Sequence, residues 1–285
     1  MIWIPILSAT ALAGGTLIER ILLKRKNMSV KFYETYSFLF IVLVMIPFTF
    51  FFWDVSSLAY SLENILILLV VVVLALFANW FIFQSLKWEK ISRLEPARMM
   101  EPLFTVMLAV IFSYIFGEGL YERNLKFIIP ALVAGAALIF SHFRRDHLEF
   151  NKYFKFAILG SLFFAAELVV SRILLDIYSP FSFYFVRCIL IFGLSFILFR
   201  PKLFGEVDNK TILHILLTSF LWVGFRILIY YGYTTLGIIE TTLMIMLGPV
   251  FVYLFAWKFL KDKPDWRNIL SSIIIVLAVV YATVF

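Results

Sequence analysis

Five ionisable side chains stand inside long apolar stretches of the second half of the chain: Glu167, Arg172, Arg187, Arg226 and Glu240. A charge at the centre of a bilayer costs about 2.5–3.5 kcal/mol even on insertion scales, so each needs a reason to be there. At about 1.5 Å per residue, Glu167 falls roughly 12–14 Å from the outer end of its apolar run, Arg187 roughly 9 Å and Arg226 roughly 8 Å. Glu240 opens its run. Runs that are neighbours in sequence thus bring acids and bases to a similar depth. Arg187 and Arg226 would offer forked donors to a carboxylate or phosphate. Glu167 and Glu240 would balance them, accept an ammonium or carry a proton. The plainer alternative is an internal salt-bridge network with no ligand. Arg172 lies near a run end, where its stem can snorkel to the interface.

The first half has its own polar set. Arg98 and Glu101 lie one to two turns inside a run and are three residues apart, close enough to satisfy each other on one helix face. Asn79 and Gln84 share another run, and Glu34 opens a third. Trp80 and Trp222 sit within runs, away from the usual interfacial belt. They are expected either to wall a cavity or to pack against neighbours. Glu19 and Arg20 adjoin Lys24-Arg25-Lys26 and are expected at the membrane interface.

The elements that must position these residues follow from composition. The chain has 285 residues, 63% of them hydrophobic, with mean hydropathy +0.99. Soluble domains run near 45–50% apolar, so there is too little polar surface here for a water-soluble globule. An all-α integral membrane protein is expected. Apolar runs of bilayer-spanning length fall at about 2–23, 34–53, 64–86, 95–116, 124–140, 155–175, 181–199, 211–231, 238–260 and 267–285, ten in all. The fifth is short. The first is expected as a membrane helix rather than a signal peptide, because no basic segment precedes it. A β-barrel is excluded by the unbroken runs. The net charge of +7 sits in short clusters between runs. That pattern suits anionic lipid and the cytoplasm rather than nucleic acid. Cys188 is the single cysteine and the three histidines are scattered. No disulfide, metal site or cofactor is therefore expected.

Two stretches share one plan. LEPARMMEPLFTVMLAVIFSYIFGE at 94–118 and IIETTLMIMLGPVFVYLFAWKFLK at 238–261 each carry a proline, Pro102 and Pro249, ahead of a long apolar run. Laying runs one to five on six to ten also matches Glu19-Arg20-Ile21-Leu22-Leu23 to Ser171-Arg172-Ile173-Leu174-Leu175. It matches Phe32-Tyr33 to Phe183-Tyr184, and it sets Asn79 opposite Arg226. The expected architecture is ten transmembrane helices as two five-helix repeats, residues 1–141 and 152–285. An odd number of spans per repeat inverts one half relative to the other. Inverted repeats suit secondary transporters, in which two similar halves exchange conformations. The loops after odd-numbered runs hold most of the lysine and arginine, which places them in the cytoplasm and both termini outside.

With ten runs in two halves and fewer than 300 residues, the chain resembles the drug/metabolite transporter superfamily, specifically its EamA type. The likeness rests on Glu101-Pro102-Leu103-Phe104 running to Phe116-Gly117-Glu118, on its echo Leu247-Gly248-Pro249-Val250-Phe251, and on Phe183-Tyr184-x-x-Arg187. It implies a transporter rather than an enzyme, with export the usual direction and the cell membrane the expected location. The chain departs from the pattern at Leu260-Lys261-Asp262, where Gly-Glu would be expected. Charge placement in many members implies cytoplasmic termini, the opposite of the loop bias here.

The expected partners are a small organic solute such as an amino acid, the lipid bilayer and, where transport is coupled, protons through Glu167 or Glu101. A monomer or a homodimer would both serve. There is no GxxxxGK[ST] for ATP and no HExxH. A non-transporting membrane scaffold and an intramembrane lipid-acting enzyme are the rival readings, and the second lacks any visible nucleophile or metal set.

Overall fold

The structure of the chain, a computed structural model, describes residues 3–25, 28–89, 91–117, 120, 121, 123–142, 151–201, 208–255 and 265–284. Glu118 and Leu260-Lys261-Asp262 lie outside the described residues, as do 143–150 and 202–207 of the basic loops.

In lipid every backbone polar group must be satisfied internally, and a helix does this within one segment. Twelve helices appear among the described residues: α1 (Trp3–Leu23), α2 (Val30–Phe52), α3 (Leu62–Trp88), α4 (Ile91–Arg98), α5 (Met100–Phe116), α6 (Leu125–His142), α7 (Lys152–Leu174), α8 (Pro180–Phe199), α9 (Asn209–Thr235), α10 (Ile238–Ile245), α11 (Leu247–Phe255) and α12 (Trp266–Val284). Seven helical stretches are long and apolar enough to cross a membrane, the stretch Leu94–Phe116 across α4 and α5 among them. This is a multi-pass membrane protein.

Several helices begin before the apolar runs expected from sequence, because polar caps set their starts. The Ser29, Ser61, Asn151 and Ser179 side chains accept from the main-chain N–H groups of Phe32, Asn64, Phe154 and Ser182. Such a cap satisfies a donor that the first turn leaves open. Pro180 follows its cap at the position where a missing N–H costs nothing.

Two helices are broken at matching places. α4 and α10 are each eight residues long, and both end one residue before a methionine, Met99 or Met246. Pro102 and Pro249 each follow that methionine by three residues. Their missing N–H groups would have paired with the carbonyls of Arg98 and Ile245, the last residues of α4 and α10. Pro47 and Pro130 leave α2 and α6 continuous. The missing donor therefore permits a break without dictating one.

The most extensive packing joins α3 to α7, α1 to α9, α6 to α12 and α2 to α8. Gly160 of α7 gives the α3–α7 pair its closeness. A Cβ there would lie 2.7 Å from Ile82 Cγ1 and 3.2 Å from the Ala78 carbonyl oxygen. The outward faces carry Phe50, Phe51, Tyr114 and Leu277, all exposed, as suits a surface solvated by lipid.

Polar contacts close the bundle at both ends. Where α2 and α9 begin, Arg25 reaches Asp208 Oδ1 at 3.4 Å and also donates to the Thr211 hydroxyl. Lys87 donates to the Met28 carbonyl. At the opposite end the Asp54 N–H donates to Ser182 Oγ at 2.8 Å, and the Ser56 N–H donates to the Ile177 carbonyl at 2.9 Å. The Ser179 N–H donates to the Asp54 carbonyl at 3.0 Å, beside an isolated antiparallel bridge between Val55 and Tyr178.

Candidate functional site

Glu167 is the hub. It lies in α7, wholly buried, and its side chain points at α8 and α9. Its Oε1 forms an ion pair with Arg187 Nε at 3.0 Å, and its Oε2 with an Arg226 terminal nitrogen at 3.3 Å. The Tyr230 hydroxyl donates to Oε1 at 2.9 Å. The Ser171 hydroxyl stands 3.1 Å from the same oxygen and 2.6 Å from the Glu167 main-chain carbonyl. Its one proton serves these two acceptors in turn. Three residues singled out by depth in the sequence, Glu167, Arg187 and Arg226, are thus in direct contact. Tyr230 and Ser171 were missed. Each lies four residues after a charged member of the cluster, on the same helix face, and that spacing was a usable signal.

Aromatic rings cover the cations. Arg187 sits 5.6 Å from the Tyr184 ring centre, and Arg226 sits 5.1 Å from that of Phe164. Ring faces attract a desolvated guanidinium. One carboxylate between two guanidiniums leaves this cluster with excess positive charge. Glu101, half-buried on α5, lies within electrostatic range of Arg226 and supplies part of the balance.

The chain of charges continues into the first half. Arg98 of α4 lies within electrostatic range of both Glu101 and Glu19. Glu19, expected at the membrane interface, is instead buried in α1, where it accepts from the Tyr33 hydroxyl at 3.3 Å. The neighbouring Lys24-Arg25-Lys26 misled the reading, because one helical turn is enough to separate an interfacial cluster from the interior. From α1 to α8 the order is Glu19, Arg98, Glu101, Arg226, Glu167, Arg187. Acid and base alternate, three of each, and each half of the chain supplies three.

A cavity of about 30 Å³ touches three of these charges, Glu19, Arg187 and Arg226, and is walled by Tyr33, Asn79 and Trp222 among others. About 10–15 Å³ is enough for one water, so this conformation has room for a water or two. Asn79 donates to the Ala75 carbonyl at 2.7 Å, which leaves its amide oxygen for the cavity. Trp222 is half-buried and meets the edge of Phe225. Trp80 is elsewhere, stacked on Phe199 with ring centres 4.7 Å apart. Glu240 is also apart from the cluster. It sits half-buried in the first turn of α10, within electrostatic range of Lys126. Arg172 pairs with Asp176 at 2.6 Å near the end of α7.

Buried forked cations, balancing acids and an aromatic wall make a site that can hold a small polar solute away from lipid. Residues 151–284 match the model of the EamA-like transporter family. This segment is an EamA-like transporter domain. That family is one of the drug/metabolite transporter superfamily, and the match covers this segment of the chain. All of Glu167, Arg187, Arg226 and Tyr230 lie inside the EamA-like domain. A solved structure described only as "Crystal structure of protein" is similar over 99% of this chain and 94% of its own, with a TM-score of 0.71 and 16% sequence identity. Likeness at that identity speaks for the fold alone. No curated protein matches the chain.

Proposed function

We propose that the protein is a secondary transporter of small organic metabolites. It would work by alternating access between two inverted five-span repeats, residues 1–141 and 152–285, as an exporter in the cell membrane. The packing supports the repeat. Exchanging α1–α6 with α7–α12 turns the α3–α7 contact into α9–α1, turns α5–α7 into α11–α1, and returns α2–α8 and α6–α12 to themselves. The matching breaks at Met99 and Met246 support it too. Broken helices near the midplane are where such transporters bind substrate.

One observation carries the reading: two buried arginines from the second half line a cavity that the first half walls with Glu19, Tyr33 and Asn79. A solute bearing a carboxylate, such as an amino acid, would take the guanidinium forks of Arg187 and Arg226. Trp222 would cover its apolar part. With polar contacts between helices at both ends and room for only a water or two, this form would be the occluded state between the two openings.

The test is ligand-dependent thermal stability of the purified chain across a panel of amino acids and related anions, beside Arg226→Lys. A ligand that binds only the folded state raises the melting temperature by mass action. A hit that Arg226→Lys weakens supports the assignment, because lysine keeps the charge and loses the fork. A hit that it leaves intact moves the site elsewhere. The rival scaffold reading draws on the same cluster, since Glu167 already satisfies both arginines. No hit in either protein would favour it.

A further inference from the structure

Glu34 is a second buried acid, and the site described above does not use it. It lies in the second turn of α2 and is wholly buried. Neither carboxyl oxygen has a hydrogen-bond partner among the described residues. The nearby Ser37 hydroxyl does not serve it, because that group donates to the Glu34 main-chain carbonyl.

The helices packed against α2 are α8, α9 and α3. Towards this end they carry Lys210 and His214 on α9, Lys87 on α3, and Arg200 just after α8. Lys87 is engaged by the Met28 carbonyl. Lys210 and Arg200 are exposed, and His214 meets its own helix at the Lys210 carbonyl. Deeper in α8 and α9, Arg187, Arg226 and Tyr230 are held by Glu167, while Tyr184 packs against Tyr230. On α2 itself, Lys31 is exposed, Tyr33 donates to Glu19, and the Tyr36 ring lies tilted against that of Phe32. A carboxylate at this position would be an isolated buried charge, which a protein interior does not tolerate.

Glu34 also lies beneath a seal. Ser37, one turn further on, meets α9 through the Ser219 hydroxyl, 3.3 Å from its carbonyl. One turn before Glu34, the link from α1 is fastened to the start of α9 by Arg25 on Asp208 and Thr211. In this form the Glu34 side chain is shut off from water.

We propose that Glu34 is a proton-binding site: it holds a proton in this closed form and releases it to water when α2 and α9 separate at the sealed end. The step balances simply. The carboxyl O–H bond breaks, the proton passes to water, and a carboxylate remains, to be reprotonated before closure. This rests on the transporter reading and gives it a coupling ion. Glu167 is the weaker candidate for that role, because four side chains already hold its oxygens.

The test reads protonation directly and needs no substrate. Infrared spectra of the full chain in lipid, recorded at neutral pH, should show the carbonyl stretch of a protonated carboxyl, and Glu34→Gln should lose it. Where Glu34→Gln fails to fold, Glu34→Asp should shift the band instead. Breaking the seal with Arg25→Ala, Asp208→Ala should lower the pH at which the band disappears on alkaline titration. A protonated-carboxyl band of equal strength in the wild type and Glu34→Gln would show an ionised Glu34 and overturn the proposal. A band unmoved by the seal variant would overturn the coupling to opening. Neither result touches the ligand-stability test, so failure here and failure of the transporter reading can be told apart.

Discussion

Replacing Glu167 by glutamine tests whether this residue is the hub of the buried network. The substitution preserves shape and removes charge. In the native protein Glu167 is fully buried, and the side chains of Arg187 and Arg226 are only 2% and 5% exposed. Glutamine leaves two guanidiniums without their shared counter-charge and turns an N–H₂ group towards one of them. Removing one member of a buried ion pair costs about 3–5 kcal/mol, because the remaining charge stays desolvated. Arg226 keeps some relief from Glu101, so the loss falls mainly on Arg187. Reversible unfolding in a denaturing detergent, followed by helical circular dichroism, should show a loss in that range for Glu167→Gln. Adding Arg187→Gln should recover part of it, so the double variant costs less than the two single costs together. Residues in one ion-pair network couple in this way. A single-variant cost below about 1 kcal/mol, the level of an exposed pair, would refute the account. So would strict additivity of the double variant.

Three further outcomes follow. Gly160→Ala should destabilise the protein by about 1–3 kcal/mol through overpacking, since its Cβ would lie 2.7 and 2.8 Å from Ile82 Cγ1 and Cδ1; trimming Ile82 to valine should relieve part of the cost in the same unfolding assay. Ser182→Ala should cost about 0.5–1.5 kcal/mol by removing the acceptor of the Asp54 N–H, and hydrogen exchange should quicken at Asp54 and Ser56. The Thr211 hydroxyl, aided by Arg25, holds the Asp208 carboxyl below the usual carboxylate range. The folded protein therefore binds that proton less readily than the unfolded chain. The stabilisation is complete above the unfolded value and is lost as pH falls through the folded one. Carbon NMR of labelled aspartate should show Asp208 titrating at higher pH in Thr211→Val.

The apolar runs were legible because a bilayer leaves helices little choice, yet seven helical stretches among the described residues are long and apolar enough to cross one, and the runs at 95–116 and 238–260 each hold two helices. Hydropathy sees the oily centre of a helix and not the serine or asparagine that caps it. Glu34 shows the cost of that blindness. Taken as the opening residue of a run, it looks like an interfacial acid. Once Ser29 is the cap, the same residue lies a full turn inside. The cluster of Glu167, Arg187 and Arg226 was legible from depth alone, because three adjacent spans set their charges at one level. Glu240 satisfied the same sequence logic and is elsewhere, since depth says nothing about which way a helix face turns.

Glu19 was the avoidable error. The repeat laid it opposite Ser171, and Ser171 sits one turn from Glu167 at the level of the arginines. The correspondence placed Glu19 in the polar layer while its basic neighbours argued for the surface. Glu19 is buried, as that correspondence would have it and local charge would not. The correspondence also bears on the asymmetry of the site. On the proposed repeat, Asn79 stands in one half where Arg226 stands in the other. A site of that kind, symmetric in backbone and asymmetric in charge, would close around a solute with a distinct anionic end and use the same hinge in both halves. Replacing Asn79 by arginine would remove that difference. It would add an unpaired cation beside a chain of charges whose acids and bases are matched three to three, so the loss should appear first in ligand binding and only then in the fold.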